Sequence, residues 1–146
     1  MKRLSFSIEI DAPPQTVWDN VRDPERYKAW TAPFGEGSYF EGSWDKGEQI
    51  RFLSPAGGGM VAVIAESRAP EFVSIKHIGM LKDGAVDTTS DEVRAWAPAY
   101  ENYTLIPTAN GTRMLVEMDT QPAWEDFMNE KWPQALAVLK SLSEGR

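Results

Sequence analysis

The sequence predicts an α+β domain in which a curved antiparallel sheet of about six to seven strands wraps around a long C-terminal helix. Short alternating segments separated by turns occupy most of residues 1–120. Residues 121–146 instead carry apolar side chains at three- and four-residue steps, which is the spacing of one face of an α-helix. A chain of 146 residues fits one core, so we expect residues 1–146 to form a single domain.

The first elements are expected to be a strand and two short helices. The even-numbered residues of the range 4–10 are apolar and alternate with polar ones, which is the pattern of a strand with one buried face. Pro14 suits the first turn of a helix. A second helix is predicted at Asp23 and Pro24, where an N-cap side chain precedes a proline at the first helical position.

The middle of the chain has the pattern of strands joined by tight turns. Asn110-Gly111 lies between two alternating runs and is the strongest short hairpin signal. The glycines at 57–59 lack the lysine and hydroxyl residue of a phosphate-binding loop, so they also predict a hairpin turn. Residues 82–98 form a long connection and are a candidate lid or rim. The predicted strands are residues 38–41, 48–53, 60–67, 72–81, 99–107 and 112–119.

The last helix is predicted to begin near Thr120 or Gln121, with Pro122 in its first turn. Pro133 lies inside the helix and is expected to bend its axis, because proline removes one backbone donor and clashes with the preceding turn. The apolar face comprises Trp124, Phe127, Met128, Trp132, Ala135, Leu136, Leu139 and Leu142.

Composition excludes several classes of function. The chain has 22 acidic and 15 basic residues and a net charge of -7, so nucleic acid and anionic membrane surfaces are poor partners. Cysteine is absent and there is one histidine, so we expect no disulfide, no thiol nucleophile, no metal site and no cofactor. No apolar stretch is long enough for a membrane span, so we expect no integral membrane contact and a cytoplasmic location.

The predicted order of elements is accompanied by several short motifs. They are Ala12-Pro13 before Val17-Trp18, Trp30, Gly42-x-Trp44, Gly58-Gly59-Met60, Gly111-Thr112 and Trp132-Pro133-x-Ala135-Leu136. In these features the chain resembles the START-like, or birch-pollen-allergen-like, helix-grip superfamily, and within it the sequence is most similar to the branch named for the activator of the heat-shock-protein ATPase. The resemblance implies a cavity between the sheet and the last helix, and it implies no shared catalytic residue.

Three polar residues are candidates for orienting a ligand or moving a proton. Glu101 and Tyr103 share one strand face, which we expect to point inward, and His77 shares a face with Ile75. A carboxylate on an inward face is unusual because an unpaired buried charge is costly. The alternative is a structural His77 with Glu101 at a strand end, in water or in an ion pair.

Large apolar side chains are candidates for the walls of the cavity. Aromatic rings can bind an apolar or ring-bearing molecule, and flexible methionines tolerate varied shapes. The alternative is that these side chains fill the interior and leave no hole. The candidates are Trp30, Trp44, Phe52, Met60, Ile75, Trp96, Met114, Val116, Met118, Trp124, Phe127, Met128 and Trp132.

Three functions follow as hypotheses. The first is binding of a small, largely apolar or aromatic molecule without chemistry, with no residue assigned as catalytic. The second is an enzyme of the polyketide-cyclase or dehydratase kind, in which the same polar cluster is general acid and base. The third is a co-chaperone module with a chaperone partner or a homodimer, which predicts an exposed apolar patch.

Overall fold

A computed structural model describes residues 1–145. It contains eight strands and four α-helices in that part of the chain. The elements are Lys2–Ile10 (β1), Pro14–Arg22 (α1), Pro24–Thr31 (α2), Tyr39–Gly42 (β2), Gln49–Leu53 (β3), Gly59–Arg68 (β4), Phe72–Lys82 (β5), Ala85–Asp87 (β6), Asp91–Arg94 (α3), Ala99–Thr108 (β7), Gly111–Thr120 (β8) and Glu125–Ser143 (α4).

The strands form one antiparallel sheet in the order β1-β8-β7-β5-β4-β3-β2, with β6 paired to the end of β5. β1 and β2 are its two edges, so the sheet is curved but not closed. The helix α4 packs on β1 and also against α1 and α2. The predicted α+β architecture, with a sheet around a long C-terminal helix, is therefore confirmed.

Local signals account for where several elements begin. The Asp23 carboxylate accepts hydrogen bonds from the backbone N–H groups of Glu25 and Arg26 at 3.1 and 2.9 Å, which caps α2 ahead of its proline. Gly111 opens β8 where its backbone closely approaches the chain after β1, since a Cβ there would lie 2.4 Å from the Ile10 carbonyl oxygen. The hairpin loop itself is Ala109-Asn110, one residue earlier than the sequence predicts.

The start of the last helix differs from prediction. This helix begins at Glu125 and not near Thr120 or Gln121. Thr120 still pairs with Lys2 in the sheet, and a 3-10 turn over Pro122–Trp124 then redirects the chain, so the helix cannot start earlier. The connection over residues 82–98 contains β6 and α3. The helix α4 continues through Pro133, which lies on its exposed side.

Candidate ligand-binding cleft

Rings fill the space between the sheet and α4 at the end away from the first turn of α4. We call this group the aromatic cluster. Trp30 is its centre: its ring lies 5.5 Å from that of Tyr27, 6.3 Å from Tyr103 and 6.0 Å from Trp132, and only 1% of the residue is exposed. The cluster comprises Phe6, Tyr27, Trp30, Phe34, Phe40, Trp44, Phe52, Tyr103 and Trp132.

A cleft of about 410 Å³ opens at one end of the same space, below the first turn of α4. The elements that border it are the starts of β4 and β7 and the ends of β5 and β8, which meet at one end of an antiparallel sheet. Its volume is within the range of small-molecule sites. It is lined by Met1, Met60, His77, Met80, Glu92, Trp96, Ala99, Glu101, Met118, Asp119, Thr120, Gln121, Trp124 and Met128.

A polar cluster lies at the base of the cleft. The Glu101 carboxylate accepts a hydrogen bond from the Tyr103 hydroxyl and lies 3.0 Å from His77 Nε2. The side chains of His77 and Glu101 are only 11% and 19% exposed. In the sheet, Glu101 pairs with Ile75 on one side and Met118 on the other, so its neighbours along the strand row are apolar. We call these three residues the polar triad.

Glu101 is the shared partner of the other two residues of the triad. When its carboxylate is ionised it can only accept, and His77 Nε2 is then the donor that faces it. His77 Nδ1 is buried and has no hydrogen-bond partner within residues 1–145. Burial raises the pKa of the Tyr103 hydroxyl well above its ordinary value, and the nearby Glu101 charge raises it further. Tyr103 is therefore a donor at neutral pH.

The rim of the cleft is the connection that the sequence marks as a lid or rim. The Ser90 hydroxyl caps α3 by accepting from the Val93 N–H at 3.2 Å. Val93 and Trp96 then pack on Met60 and Met80 at the end of the sheet. The segment from α3 to Trp96 thus borders one side of the cleft, with Glu92 and Trp96 in the lining.

Two ion pairs hold the border of the cleft. Lys82 Nζ and Glu92 Oε2 are 2.8 Å apart at the rim. On the opposite border, Arg3 Nε and Asp119 Oδ1 are also 2.8 Å apart. Both pairs are partly exposed, so we expect them to orient the rim more than to stabilise the fold.

The predicted site residues separate into two groups. One group lines the cleft: Met60, His77, Trp96, Glu101, Met118, Trp124 and Met128. The other lies outside the lining, in the packed interior or at its border: Trp30, Trp44, Phe52, Ile75, Tyr103, Met114, Val116, Phe127 and Trp132. The structure thus brings seven of the sixteen candidates to the cleft, because most of the rings among the others pack on each other.

Several lining residues escaped sequence reasoning. Met80 is the clearest case, because β5 carries a bulge at Ile78: Val61 pairs with Gly79 but Ala62 pairs with His77. The extra residue reverses the alternation, so that Met80 faces the cleft with His77. A bulge leaves no reliable sequence signal here. Met1, Glu92, Ala99, Asp119, Thr120 and Gln121 lie at element ends, where periodicity does not fix direction.

Within residues 1–145 no group of three or more histidine, cysteine, aspartate or glutamate side chains could hold a metal ion. No helix in the same range is long and apolar enough to cross a membrane.

Comparison with known families shows to which family the chain belongs. Residues 11–144 match the family described as Activator of Hsp90 ATPase homolog 1-like protein. The chain belongs to this family. Membership agrees with the resemblance seen in the sequence and with the sheet that surrounds α4. Among curated proteins, none matches the chain significantly.

Solved structures with the same fold are distant in sequence. Protein MLL2253 from Mesorhizobium loti is 16% identical with a TM-score of 0.75, and the alignment covers 97% of this chain and 96% of that one. The Aha1 dimer from Colwellia psychrerythraea is 18% identical with a TM-score of 0.75, covering 99% and 97%. DynU16, a protein of the dynemicin biosynthetic locus, is 15% identical with a TM-score of 0.72, covering 100% of this chain and 49% of DynU16. These similarities show the fold alone.

Proposed function

We propose that this protein binds a small, largely apolar molecule in the cleft between the sheet and the start of α4, without chemistry of its own. The observation that carries the proposal is the lining: five of its fourteen residues are methionines and two are tryptophans, with the polar triad at the base. Burial of apolar ligand area supplies affinity at about 25 cal/mol per Å² before ordering costs. The triad supplies orientation.

Native mass spectrometry of the protein as purified tests the proposal directly. We expect a co-purifying organic molecule, released by solvent extraction with a defined mass. The Colwellia relative is described as a dimer, and the same spectrum reports whether this chain forms one. A cytoplasmic location and a chaperone partner stay predictions.

A variant that fills the cleft provides a matched test. Met128 is half-buried and lines the cleft from α4, so Met128→Trp places an indole in the ligand volume without disturbing the sheet. We expect the affinity for a fluorescent apolar probe to fall by about tenfold or more. Ala137→Trp adds the same ring on the exposed side of α4 and should leave affinity unchanged. Equal binding by both variants would contradict the proposed location.

The contact between His77 and Glu101 favours a second candidate, an enzyme that uses the triad for proton transfer. Nε2 and the carboxylate oxygen are 3.0 Å apart at the base of the cleft, which is within reach for acid–base work. Under this reading, Glu101→Gln abolishes turnover of a cleft ligand and spares its affinity. Under the binding proposal there is no turnover to lose.

A further inference from the structure

The Glu101 carboxylate is the acceptor that the polar triad offers to a ligand. It has two oxygen atoms with about four acceptor positions, and the Tyr103 hydroxyl and His77 Nε2 occupy two of them. Glu101 lines the cleft, and its side chain is 19% exposed. A ligand that satisfies the remaining positions must donate hydrogen bonds.

The charged side chains that line the cleft are mainly carboxylates. The lining contains Glu92, Glu101 and Asp119 and no lysine or arginine side chain. Lys82 and Arg3 reach Glu92 and Asp119 from outside the lining and pair with them. Glu101 is different, because within residues 1–145 its one partner of this kind is His77, and no lysine or arginine pairs with it. The Glu101 carboxylate is therefore available to a ligand.

We propose that the ligand is an apolar organic cation, an ammonium group on an aryl or alkyl body, with the ammonium at Glu101. This inference rests on the proposed binding function. The apolar body would lie among the methionines and against Trp96 and Trp124, whose ring faces also attract a cation. The net charge of -7 favours the approach of cations over anions.

The same lining disfavours fatty acids and other apolar carboxylates. Such a ligand would place its charge beside Glu101 in a site with no lysine or arginine, and a buried charge without a partner is costly. Charge sign at the ligand head group therefore separates this proposal from a general apolar carrier.

Three probes with the same ring system test which head-group charge the cleft prefers. Naphthylethylammonium, naphthylethanol and naphthylpropionate share an apolar body and differ in head-group charge. Isothermal titration of the full chain should give the tightest binding for the ammonium, about tenfold or more tighter than the alcohol, and the weakest for the carboxylate. In Glu101→Gln, the ammonium should lose this advantage while the alcohol binds as before.

Glu117→Gln is the matched control. Glu117 follows the buried Val116 on β8 and precedes Met118, so it lies on the opposite sheet face, and its substitution removes one negative charge outside the cleft. It should preserve the ammonium preference. Binding of the alcohol or carboxylate as tightly as the ammonium by the wild-type chain would overturn the charge inference and leave the binding function standing. Failure of all three probes to bind would overturn the binding function itself.

Discussion

The space between the sheet and α4 is bordered by the same two elements at both ends, but one end is filled and the other is open. Trp132, in the middle of α4, packs on other rings and is 3% exposed, whereas Trp124, just before α4, is 52% exposed at the mouth of the cleft. One end is closed by the aromatic cluster. The other is lined by methionines and stays open.

The covering elements explain the difference. The helices α1 and α2 pack against α4, and α2 contributes Tyr27 and Trp30 to the aromatic cluster. The cleft is covered by α3, which has four residues and places Val93 against the end of the sheet, with Trp96 just beyond it. A single helical turn cannot fill the volume that two longer helices fill. The apolar stripe of α4 therefore packs into the core in one part and borders the cleft in another.

The largest expected effect of a substitution lies in the closed end. Trp30→Ala removes the central ring of the aromatic cluster, where relaxation is restricted by neighbours on all sides. We expect the free energy of unfolding to fall by about 3 to 5 kcal/mol, measured by urea denaturation. Because small domains have only about 5 to 15 kcal/mol in total, the variant should be close to unfolding. A loss below about 1 kcal/mol would show that the cluster is not the core.

Alkaline pH should also lower the free energy of unfolding through the aromatic cluster, by less than Trp30→Ala does at about pH 10. Burial, followed by the charge of Glu101, raises the pKa values of Tyr27 and Tyr103. The folded state therefore keeps protons that the unfolded state releases, and stability is complete below the ordinary tyrosine pKa of about 10 and is lost as pH rises above it. Each tyrosine contributes a slope of about 1.4 kcal/mol per pH unit.

Urea denaturation at a series of pH values above about 9 measures this slope. The variant Tyr103→Phe lacks one of the two hydroxyls and should lose stability less steeply than the wild-type chain. Its stability at neutral pH is the internal reference, because that value contains the cost of the lost hydrogen bond to Glu101. An unchanged slope would mean that Tyr103 is not protonated selectively in the folded state.

The smallest expected effect lies at the open end. Trp124→Ala removes the same side-chain type as Trp30→Ala, but from an exposed position at the mouth of the cleft. We expect the free energy of unfolding to change by no more than about 0.5 kcal/mol, and the affinity for a cleft ligand to fall. A stability loss similar to that of Trp30→Ala would remove the distinction between the two ends.

Prediction from sequence succeeds where local chemistry decides the outcome. The strands follow from alternation, and Asp23-Pro24 marks the start of α2. Prediction fails where pairing with a distant part of the chain decides the outcome. Thr120 stays in the sheet because Lys2 pairs with it, so the last helix starts later than its apolar stripe suggests. Met80 turns toward the cleft because of the bulge at Ile78.

The candidate site shows the same division. Alternation alone predicts that Glu101 and Tyr103 share a face with each other. The contact of Glu101 with His77 needs the register of β5 on β7, where His77 pairs with Ala99 and Ile75 with Glu101. Register is a long-range property, since it depends on which strands become neighbours.

The sequence by itself determined the class of fold, the net acidic charge and the types of side chain available, because periodicity, turn residues and composition are local properties. Only the tertiary structure decided which apolar side chains close the core and which line a cleft. Trp30 and Trp124 are the same residue type. Their exposure differs because two helices cover Trp30, whereas a single helical turn borders the cleft beside Trp124. Whether a side chain is buried depends on how much of the volume around it is filled by neighbouring elements. A local sequence pattern does not contain that information.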